Sequence, residues 1–319
     1  QKSHLGKVLK SQLTHSNNIV SEKPLVSVII NCFNGEKYLR DALDSVITQT
    51  YKNWEIIFWD NKSTDKSAEI FKSYEDTRLK YYSASSHEAI LSVARNHALK
   101  KTNGDLIAFL DVDDWWSPNK LEKQIPLFND PDVGLVYGNV WRFYEKKNKK
   151  EIYKKKILPK GMILDELLHD YVISTQTCII RKKSLDSLEY HFNKHFHIIG
   201  DFDLNIRLAT KWKVDCVQDS VATARIHGQN ESLLKKNKAI DELEIWCDNM
   251  KTNPIFSSKN GLNQVSLKVL YLKIMQSISA DGFGKNFVKV IKYPFCYNKI
   301  KLIIALLLPK FIIKKIQIY

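Results

Sequence analysis

The sequence predicts an α/β fold whose mainly parallel central sheet carries helices on both faces, followed by a helical C-terminal extension. Short apolar runs alternate in the first part of the chain with segments of helical spacing, and two of the runs end in acidic residues. Such alternation requires right-handed crossovers between parallel strands. With 319 residues, of which 44% are hydrophobic, the chain has room for one large domain and an appendage.

Four segments predict parallel strands, the mainly apolar ones at 26–30, 55–59 and 106–110 and a further one at 79–83. The segments after the first three strands along the chain have apolar residues at helical spacing. They predict three helices. The first spans 38–47, the second begins at a cap at Ser63 or Thr64 and ends at about Tyr74, and the third spans 88–101. Because the strands are parallel, the acidic residues after them lie at one edge of the sheet.

The acidic tetrad Asp111-Val112-Asp113-Asp114 directly follows the fourth strand. Open α/β sheets bind ligands beyond the carboxyl ends of their strands, and Asp60 ends the second strand at the same edge. Three acids at such a position need a cation, and Mg²⁺ or Mn²⁺ would also bridge the phosphates of a nucleotide diphosphate. An Asp-x-Asp alone is weak support, because acids after a strand are more often turn or cap residues.

Several blocks around the tetrad occur in a characteristic order: VSVIINCFN at 26–34, ALDSVITQTY at 42–51, EIIFWDNKSTDKS at 55–67, Arg95-Asn96, GDLIAFLDVDDWW at 104–116 and PNKL at 118–121. Together they resemble the family 2 glycosyltransferases of the GT-A fold, over about residues 25–235. Two departures occur. Residues 31–34 read Asn-Cys-Phe-Asn where the family usually has Pro-Thr/Val-Tyr-Asn, and 60–63 read Asp-Asn-Lys-Ser where it has Asp-Asp-Gly-Ser.

This resemblance implies donor-binding roles for Asn34, Asp60, Arg95, Asp111 and Asp113. Asp60 is the acid expected to hydrogen-bond the base. A helical arginine usually lies along the surface, but the family pattern places Arg95 near the nucleotide, where its guanidinium suits base or phosphate oxygens. Asp113 is the expected ligand of a divalent cation, with Asp114 as a secondary candidate.

Two later blocks complete the predicted site. GDFDLNIRL at 200–208 resembles the family's acidic motif, which implies Asp201 as the catalytic base and Asp203 as its substitute. The commoner family form has Glu at the position of Gly200, and by itself Asp201 also suits a helix N-cap. ARIHGQNES at 224–232 resembles the Arg-x-His-x-x-Asn-x-Ser block, which implies that His227 binds the metal or the diphosphate.

Residues 145–156 are dense in lysine and predict a solvated hairpin or loop. Surface solubility explains these lysines better than a role in binding the acceptor.

The C-terminal region differs in composition from the rest. From residue 282 onward there are eight lysines and no acid, together with the apolar run LIIALLL at 302–308. This run is too short to span a bilayer, but a basic apolar segment can lie in the headgroup plane of an anionic membrane. The alternative is a helix packed on the catalytic domain. We therefore divide the chain into a polar segment 1–24, a catalytic domain 25–235 and a mainly helical basic region 236–319.

Composition favours a cytoplasmic protein that binds an anionic surface. The formal charge is +14, from 49 Lys and Arg against 35 Asp and Glu. Five cysteines form no CxxC pair, which indicates a reducing compartment rather than a disulfide framework or zinc site. The first 24 residues lack the apolar core of a signal peptide. No nucleic-acid-binding motif accompanies the basic charge. The predicted location is the cytoplasmic face of the inner membrane.

The resemblance implies an inverting, metal-dependent transfer of a sugar from a nucleotide diphosphate sugar, most commonly a UDP-sugar. The implied acceptor is a glycan or lipid-linked glycan of bacterial surface polysaccharide. Two alternatives are a sugar-phosphate nucleotidyltransferase and a non-catalytic nucleotide- or carbohydrate-binding protein. The first should carry an early Gly-rich phosphate loop, which residues 33–36 are not. The second has no need of Asp201.

Overall fold

In the computed structural model, which describes residues 23–257, 259–281 and 283–308, nine strands form one sheet. The strands are β1 (Val26–Cys32), β2 (Trp54–Asp60), β3 (Leu79–Ser83), β4 (Leu106–Phe109), β5 (Trp115–Trp116), β6 (Val133–Tyr144), β7 (Lys149–Ile152), β8 (Ile179–Arg181) and β9 (Lys213–Ile226).

Thirteen α-helices lie within the same described ranges. The first seven are α1 (Leu39–Ile47), α2 (Ser67–Lys72), α3 (Leu91–Leu99), α4 (Lys120–Gln124), α5 (Leu164–His169), α6 (Lys182–Asp186) and α7 (Gly200–Ala209). The remaining six are α8 (Glu231–Leu234), α9 (Lys236–Lys251), α10 (Pro254–Ser257), α11 (Asn260–Asp281), α12 (Phe283–Lys292) and α13 (Tyr297–Leu307). Short 3₁₀ turns occupy Ile125–Asn129, Glu145–Lys147 and Thr175–Thr177.

The sheet has two halves with different strand directions. Its order is β3-β2-β1-β4-β8-β6-β9-β5, and β7 pairs with β6 outside this path. β3, β2, β1 and β4 are mutually parallel, as the alternation of strands and helices predicts. In the other half, β8 is antiparallel to both β4 and β6, β6 and β9 are parallel, and β5 is antiparallel to β9. The predicted α/β class is confirmed, and its parallel part is the half that precedes the tetrad.

Side chains of the parallel strands alternate between two cores, one on each face of the sheet. Val28 and Ile30 of β1 lie in a core with α1, α2 and α4, whereas Ile29 lies in the core that α3, α5, α7 and α9 cover. Both sets are buried. β1, β2 and β4 are buried almost throughout because neither of their faces meets water, whereas the edge strand β3 is only partly buried.

One predicted detail of the parallel half is wrong. Neither Ser63 nor Thr64 caps α2, which begins at Ser67 after Lys66 without a side-chain cap. The backbone N–H groups of Ser63 and Thr64 instead donate to Asp60 Oδ1 and Asn34 Oδ1, each at 2.8 Å. These residues tie together the loops that follow β1 and β2. The predicted lysine-rich hairpin is present, because β7 pairs with the end of β6.

The hydrophobic core continues past residue 235, where we placed the end of the catalytic domain. Trp246 and Cys247 of α9 and Leu262 and Val265 of α11 are buried in the core that contains α7. A separate cluster then joins the end of α11 to α12 and α13 through Ile274, Met275, Ile278, Val290, Tyr293, Leu302, Ala305 and Leu306. The core that contains α7 therefore extends into α11.

Two predicted segments lie partly or wholly outside the described residues, namely 1–24, of which only 23 and 24 are described, and the part of 282–319 beyond residue 308. Among the helices that are described, none has the length and hydropathy needed to cross a membrane.

Lys120 at the start of α4 is an unusual member of the interior. Its ammonium group is buried, donates to Gln124 Oε1 at 2.6 Å and lies 4.3 Å from the centre of the Trp116 ring. Burial lowers the pKa of Lys120 to about 7, because the charged form loses its hydration.

We expect Lys120→Met to change the pH dependence of stability. Between about pH 7 and 10.5 the Lys120 side chain is protonated in the unfolded chain and unprotonated in the folded chain. Its contribution to the free energy of unfolding therefore rises with pH. The Met variant should lose this rise and, at pH 7, be as stable as the parent or more stable by about 1–3 kcal/mol. Urea unfolding from pH 6.5 to 9.5 measures both proteins. Parallel pH profiles would contradict a depressed lysine pKa.

Candidate active site

Asp60, the last residue of β2, is held in one orientation. Its Oδ1 accepts the Ser63 N–H at 2.8 Å, and its Oδ2 accepts the Tyr81 hydroxyl at 2.6 Å. Burial, followed by the nearby Asp60 carboxylate, raises the pKa of Tyr81 to about 12. Tyr81 therefore stays protonated and continues to donate. The carboxylate is fixed at the edge of the sheet where β1 and β4 also end.

The loop after β1 carries Asn34 in the left-handed backbone region, with φ of 54°. Its backbone N–H donates to Ser63 Oγ at 3.0 Å, so both backbone and side chain bind the loop after β2. Beside it, Phe33 is 49% exposed, and its ring lies 4.2 Å from that of His87. We did not select this aromatic pair from the sequence. The sequence shows an aromatic residue, Phe33, next to Asn34. Only the fold brings His87 to Phe33.

Arg95 binds the first acid of the tetrad. It projects from α3, is buried, and places Nη2 3.0 Å from Asp111 Oδ1. Its guanidinium also lies 5.4 Å from the centre of the Phe192 ring. This pair offsets one carboxylate charge at the end of β4.

Asp113 is the acid on which the polar groups of the later loop converge. Its Oδ2 lies 3.0 Å from both His227 Nε2 and Asn230 Nδ2. Burial and the neighbouring Asp111 raise the pKa of Asp113. This carboxylate therefore favours a position near a positive charge or a proton. The structure brings Asp113 and His227 together, as the sequence blocks imply.

Asp114 has a different environment from its neighbours. It is buried, and its Oδ1 accepts the Arg225 backbone N–H at 2.8 Å. Burial, and after it Asp113, raises the pKa of Asp114 well above its ordinary value. Asp114 therefore binds the backbone of β9, the strand that leads to His227, and it has little access to a ligand.

Arg225 holds the backbone of the tetrad in place. Its Nε donates to the Asp113 carbonyl at 3.0 Å and its Nη2 to Asp41 of α1 at 2.5 Å. The guanidinium also lies 4.5 Å from the Tyr38 ring centre and 4.6 Å from that of Trp115. β5 pairs with β9 immediately after the tetrad, which explains why Arg225 reaches it. The sequence block contains this arginine, but sequence reasoning assigned it no role.

The donor atoms here suit a divalent cation, but they are too few to complete its coordination. Asp113 and His227 offer a carboxylate oxygen and an imidazole nitrogen, which suit Mn²⁺ among the common cations. Within the described part of the chain, no group of three or more His, Cys, Asp or Glu side chains forms a complete metal site. Any further ligands must come from water or from a bound molecule.

Asp201 lies in the first turn of α7 and is half-buried. Its Oδ1 accepts the Phe202 N–H at 2.9 Å, and its Oδ2 accepts the Thr175 hydroxyl. β8 runs antiparallel to β4, with Ile179 opposite Ala108, so Thr175 lies beyond the carboxyl end of β4. Asp201 therefore lies at the same edge as the tetrad. Because the N-cap of α7 is Ile199, the alternative reading of Asp201 as an N-cap is wrong.

Gly200 has a structural reason to lack a side chain. A Cβ at this position would overlap Ser92 Oγ of α3, which itself donates to the Phe196 carbonyl at 2.5 Å. A side chain at position 200, such as the Glu of the commoner family motif, would therefore displace the Ser92 hydroxyl and break this hydrogen bond.

Asp203, the substitute candidate, is directed into the core. Its Oδ2 accepts from Arg207 Nη2 at 2.8 Å, and its Oδ1 accepts from Trp246 Nε1 at 3.1 Å. Both carboxylate oxygens are bound within the protein and the residue is buried. The structure therefore distinguishes the two acids of α7 and places only Asp201 near the edge of the sheet.

Comparisons with known proteins agree with this geometry. The sequence model of glycosyl transferase family 2 matches residues 27–188, just over half of the chain. The chain belongs to this family.

Two relatives of the chain are named as glycosyltransferases. The chain is 33% identical over 168 residues to UDP-Glc:alpha-D-GlcNAc-diphosphoundecaprenol beta-1,3-glucosyltransferase WfgD of Escherichia coli, a match that covers 53% of this chain and 64% of that enzyme. It is 44% identical over 171 residues to TuaG of Bacillus subtilis, whose name assigns it to teichuronic acid biosynthesis, covering 52% and 66%. The chain thus spans less than two thirds of the length of these relatives.

A solved structure has the same fold. The mannosyltransferase PcManGT from Pyrobaculum calidifontis, in complex with GDP-Man and Mn²⁺, superposes with a TM-score of 0.61 at 15% identity, covering 94% of this chain and 86% of that one. The predicted GT-A fold with a helical C-terminal region is confirmed.

We expect two substitutions of Asp114 to differ in stability. Asp114→Asn keeps an oxygen that accepts the Arg225 N–H and removes a buried charge, so it should be neutral or stabilising. Asp114→Ala leaves that buried N–H without a partner and should cost about 1–3 kcal/mol relative to the Asn variant. Urea unfolding at one pH compares them. Equal stability of the two variants would contradict a structural role for this hydrogen bond.

Proposed function

We propose that this protein transfers a sugar from a nucleotide diphosphate sugar to a hydroxyl of a glycan or lipid-linked glycan, with inversion at the anomeric carbon. The observation that carries the proposal is the placement of Asp113, with His227 and Asn230, at the same sheet edge as Asp201. One group suits the departing diphosphate and the other an incoming hydroxyl. Family membership supports the reaction class.

The nucleotide binds across the carboxyl ends of β1, β2 and β4 in this proposal. Asp60 is fixed by Ser63 and Tyr81, so its carboxylate presents a constant acceptor to N–H groups of the base. The exposed ring of Phe33, backed by His87, provides a surface on which the base stacks. Asn34 lies next to Phe33 in the same loop and contributes polar groups.

The diphosphate lies against the tetrad. Arg95 compensates Asp111 and holds it beside the ribose and phosphates. Asp113 and His227 would hold a divalent cation, Mn²⁺ or Mg²⁺, beside the diphosphate. Such a cation offsets the negative charge that develops on the departing diphosphate. Asn230 keeps Asp113 in a fixed rotamer by donating to Oδ2.

Asp201 acts as the general base. The Thr175 hydroxyl occupies Oδ2, and the half-buried carboxylate takes the proton of the acceptor hydroxyl. The acceptor oxygen bonds to the anomeric carbon as the bond from that carbon to the diphosphate oxygen breaks. The electron pair of the broken bond leaves with the diphosphate. Attack from the opposite face inverts the configuration.

Relatives favour particular substrate classes. The name of WfgD specifies UDP-glucose as donor and a diphosphoundecaprenol-linked sugar as acceptor. A UDP-sugar and a lipid-linked glycan of surface polysaccharide are therefore the substrates we propose. A sugar-phosphate nucleotidyltransferase is disfavoured by family membership, and a non-catalytic binding protein leaves the placement of Asp201 unexplained.

We expect Asp113→Asn and Asp201→Asn to fail in different ways. Asp113→Asn should weaken the Mn²⁺-dependent binding of UDP, because a carboxylate ligand becomes an amide. Asp201→Asn should leave UDP affinity nearly intact and lower kcat on the order of 10² to 10⁴-fold, since the amide cannot accept the proton. Calorimetry with UDP, with and without Mn²⁺, measures the affinity. A screen of nucleotide sugars for release of the nucleoside diphosphate measures turnover.

Two results would count against these roles. Equal UDP affinity in EDTA and in Mn²⁺ would remove the metal role of Asp113. Near-normal turnover of Asp201→Asn would place the base elsewhere.

We further propose that α12 and α13 hold the enzyme on an anionic membrane, close to its lipid-linked acceptor. α13 is apolar on both sides: Leu302, Ala305 and Leu306 are buried, yet the opposite side exposes Ile300, Ile303, Ile304 and Leu307. A helix that is apolar all round needs an apolar environment on both sides. Phe287, Val288, Ile291 and Phe295 extend this surface, and the exposed lysines beside it are Lys289, Lys292 and Lys301.

We expect the double variant Phe295→Ser and Leu307→Ser to bind vesicles about 10-fold more weakly, because it removes two exposed apolar side chains without touching the buried cluster. These residues are 86% and 73% exposed. The matched control is Ile157→Ser, 88% exposed but far along the chain from α12. Co-sedimentation with phosphatidylglycerol and phosphatidylcholine vesicles measures binding. Equal binding of the double variant, or no preference for the anionic vesicles, would contradict the proposal.

A further inference from the structure

His197 lies where three segments of the active site meet. It is buried, three residues before α7 begins, and its Nδ1 accepts the backbone N–H of Leu91, the first residue of α3, at 3.0 Å. Its Nε2 lies 3.0 Å from Glu231 Oε2 at the start of α8. α3 carries Arg95, and α7 carries Asp201. One imidazole thus contacts the segments that hold the donor-binding and base residues.

The hydrogen bonds fix the tautomer of this imidazole. A backbone N–H can only donate, so Nδ1 is unprotonated and the proton lies on Nε2, directed at Glu231. The Lys235 ammonium lies 2.8 Å from Nε2 and 2.5 Å from Glu231 Oε1. With the proton on Nε2, Glu231 accepts hydrogen bonds from both the His197 imidazole and the Lys235 ammonium. These bonds, that of His197 first, lower the pKa of Glu231 to about 2, so the acceptor stays charged.

Glu231 connects this contact to the donor site. It directly follows Asn230, whose side chain donates to Asp113 Oδ2 at 3.0 Å. A continuous path therefore runs from Asp113 through Asn230 and Glu231 to His197, and from there along four residues of chain to Asp201. Movement of the Asp113 loop would be transmitted to the start of α7.

Glu242 of α9 binds the same segment from the other side. Its Oε1 accepts the His197 N–H at 2.9 Å, and its Oε2 accepts the N–H groups of Ile198 and Ile199 at 2.8 and 3.1 Å. α7 has no side-chain cap of its own, because its N-cap residue is Ile199. A buried carboxylate from a distant helix thus satisfies the backbone donors in front of α7.

We propose that His197 and Glu242 are positioning residues that hold the Asp201 helix against the donor-binding loops, an inference that rests on the proposed function. Through them, occupation of the Asp113 site by a nucleotide and cation orders the helix that carries the base. Neither residue touches the substrate. The C-terminal region thereby contributes to the active site through α9.

Amide hydrogen exchange of α7 tests the proposal without knowledge of the sugar. His197→Asn keeps an acceptor for the Leu91 N–H but loses the reach to Glu231, and Glu231→Ala removes the same bond from the other side. Each should speed exchange of α7 amides about 10-fold in the free protein. The double variant should be no faster than Glu231→Ala, because each single variant already loses the bond between His197 and Glu231. Lys235→Met, which keeps the bond, is the matched control and should exchange like the parent.

Binding of UDP with Mn²⁺ adds a readout that a purely structural role would leave unchanged. In the parent, this ligand should slow exchange in α7. In His197→Asn, UDP affinity should stay within about twofold while the added protection of α7 is lost. Additive effects of the two single variants, or ligand protection equal to that of the parent, would overturn the inference. Failure of UDP to bind the parent would count against the proposed function instead, and the ligand-free comparison would still decide the role of His197.

Discussion

The rest of the site depends on one electrostatic constraint, the crowding of three carboxylates at the carboxyl end of β4. Burial and mutual repulsion raise the pKa values of Asp113 and Asp114. Such a cluster persists only if cations and N–H donors face it from several directions. Arg95 comes from α3 to Asp111, and Arg225 comes from β9 to the backbone of the tetrad. The long strand β9, which pairs with β5, lies where it can bring Arg225 to the tetrad.

The same constraint connects the tetrad to the C-terminal helices. The loop after β9 supplies His227 and Asn230 to Asp113 and leads directly into α8 and α9. α9 then packs Trp246 into the main core, where its indole donates to Asp203. A chain that ended at residue 235 would leave Asp203 without this donor and the segment before α7 without Glu242. The part that can be regarded as an appendage begins only near the end of α11, with its own small core.

The two acids of α7 illustrate how packing assigns chemistry to similar side chains. Asp201 and Asp203 are two positions apart, so they project in different directions from the helix. Asp203 meets Arg207 and Trp246 in the interior, whereas Asp201 meets the Thr175 hydroxyl at the edge of the sheet. Asp203 is buried and so cannot exchange a proton with a substrate, whereas Asp201 is only half-buried. The side of α7 from which each acid projects therefore decides which of them is available to a substrate.

Local patterns in the sequence determined the parallel half of the sheet, the position of the tetrad, and the motif blocks that contain Asp201 and His227. These features depend on apolar periodicity and on neighbours along the chain, which a sequence records directly. Tertiary structure decided the mixed half of the sheet, the true start of α2 and the contact between Gly200 and Ser92, because each depends on segments far apart in the chain. It also decided the contacts of His197, where α3, α8 and α9 converge. No local pattern marks that histidine, since its partners lie 106, 34 and 45 positions away: 197 − 91, 231 − 197 and 242 − 197.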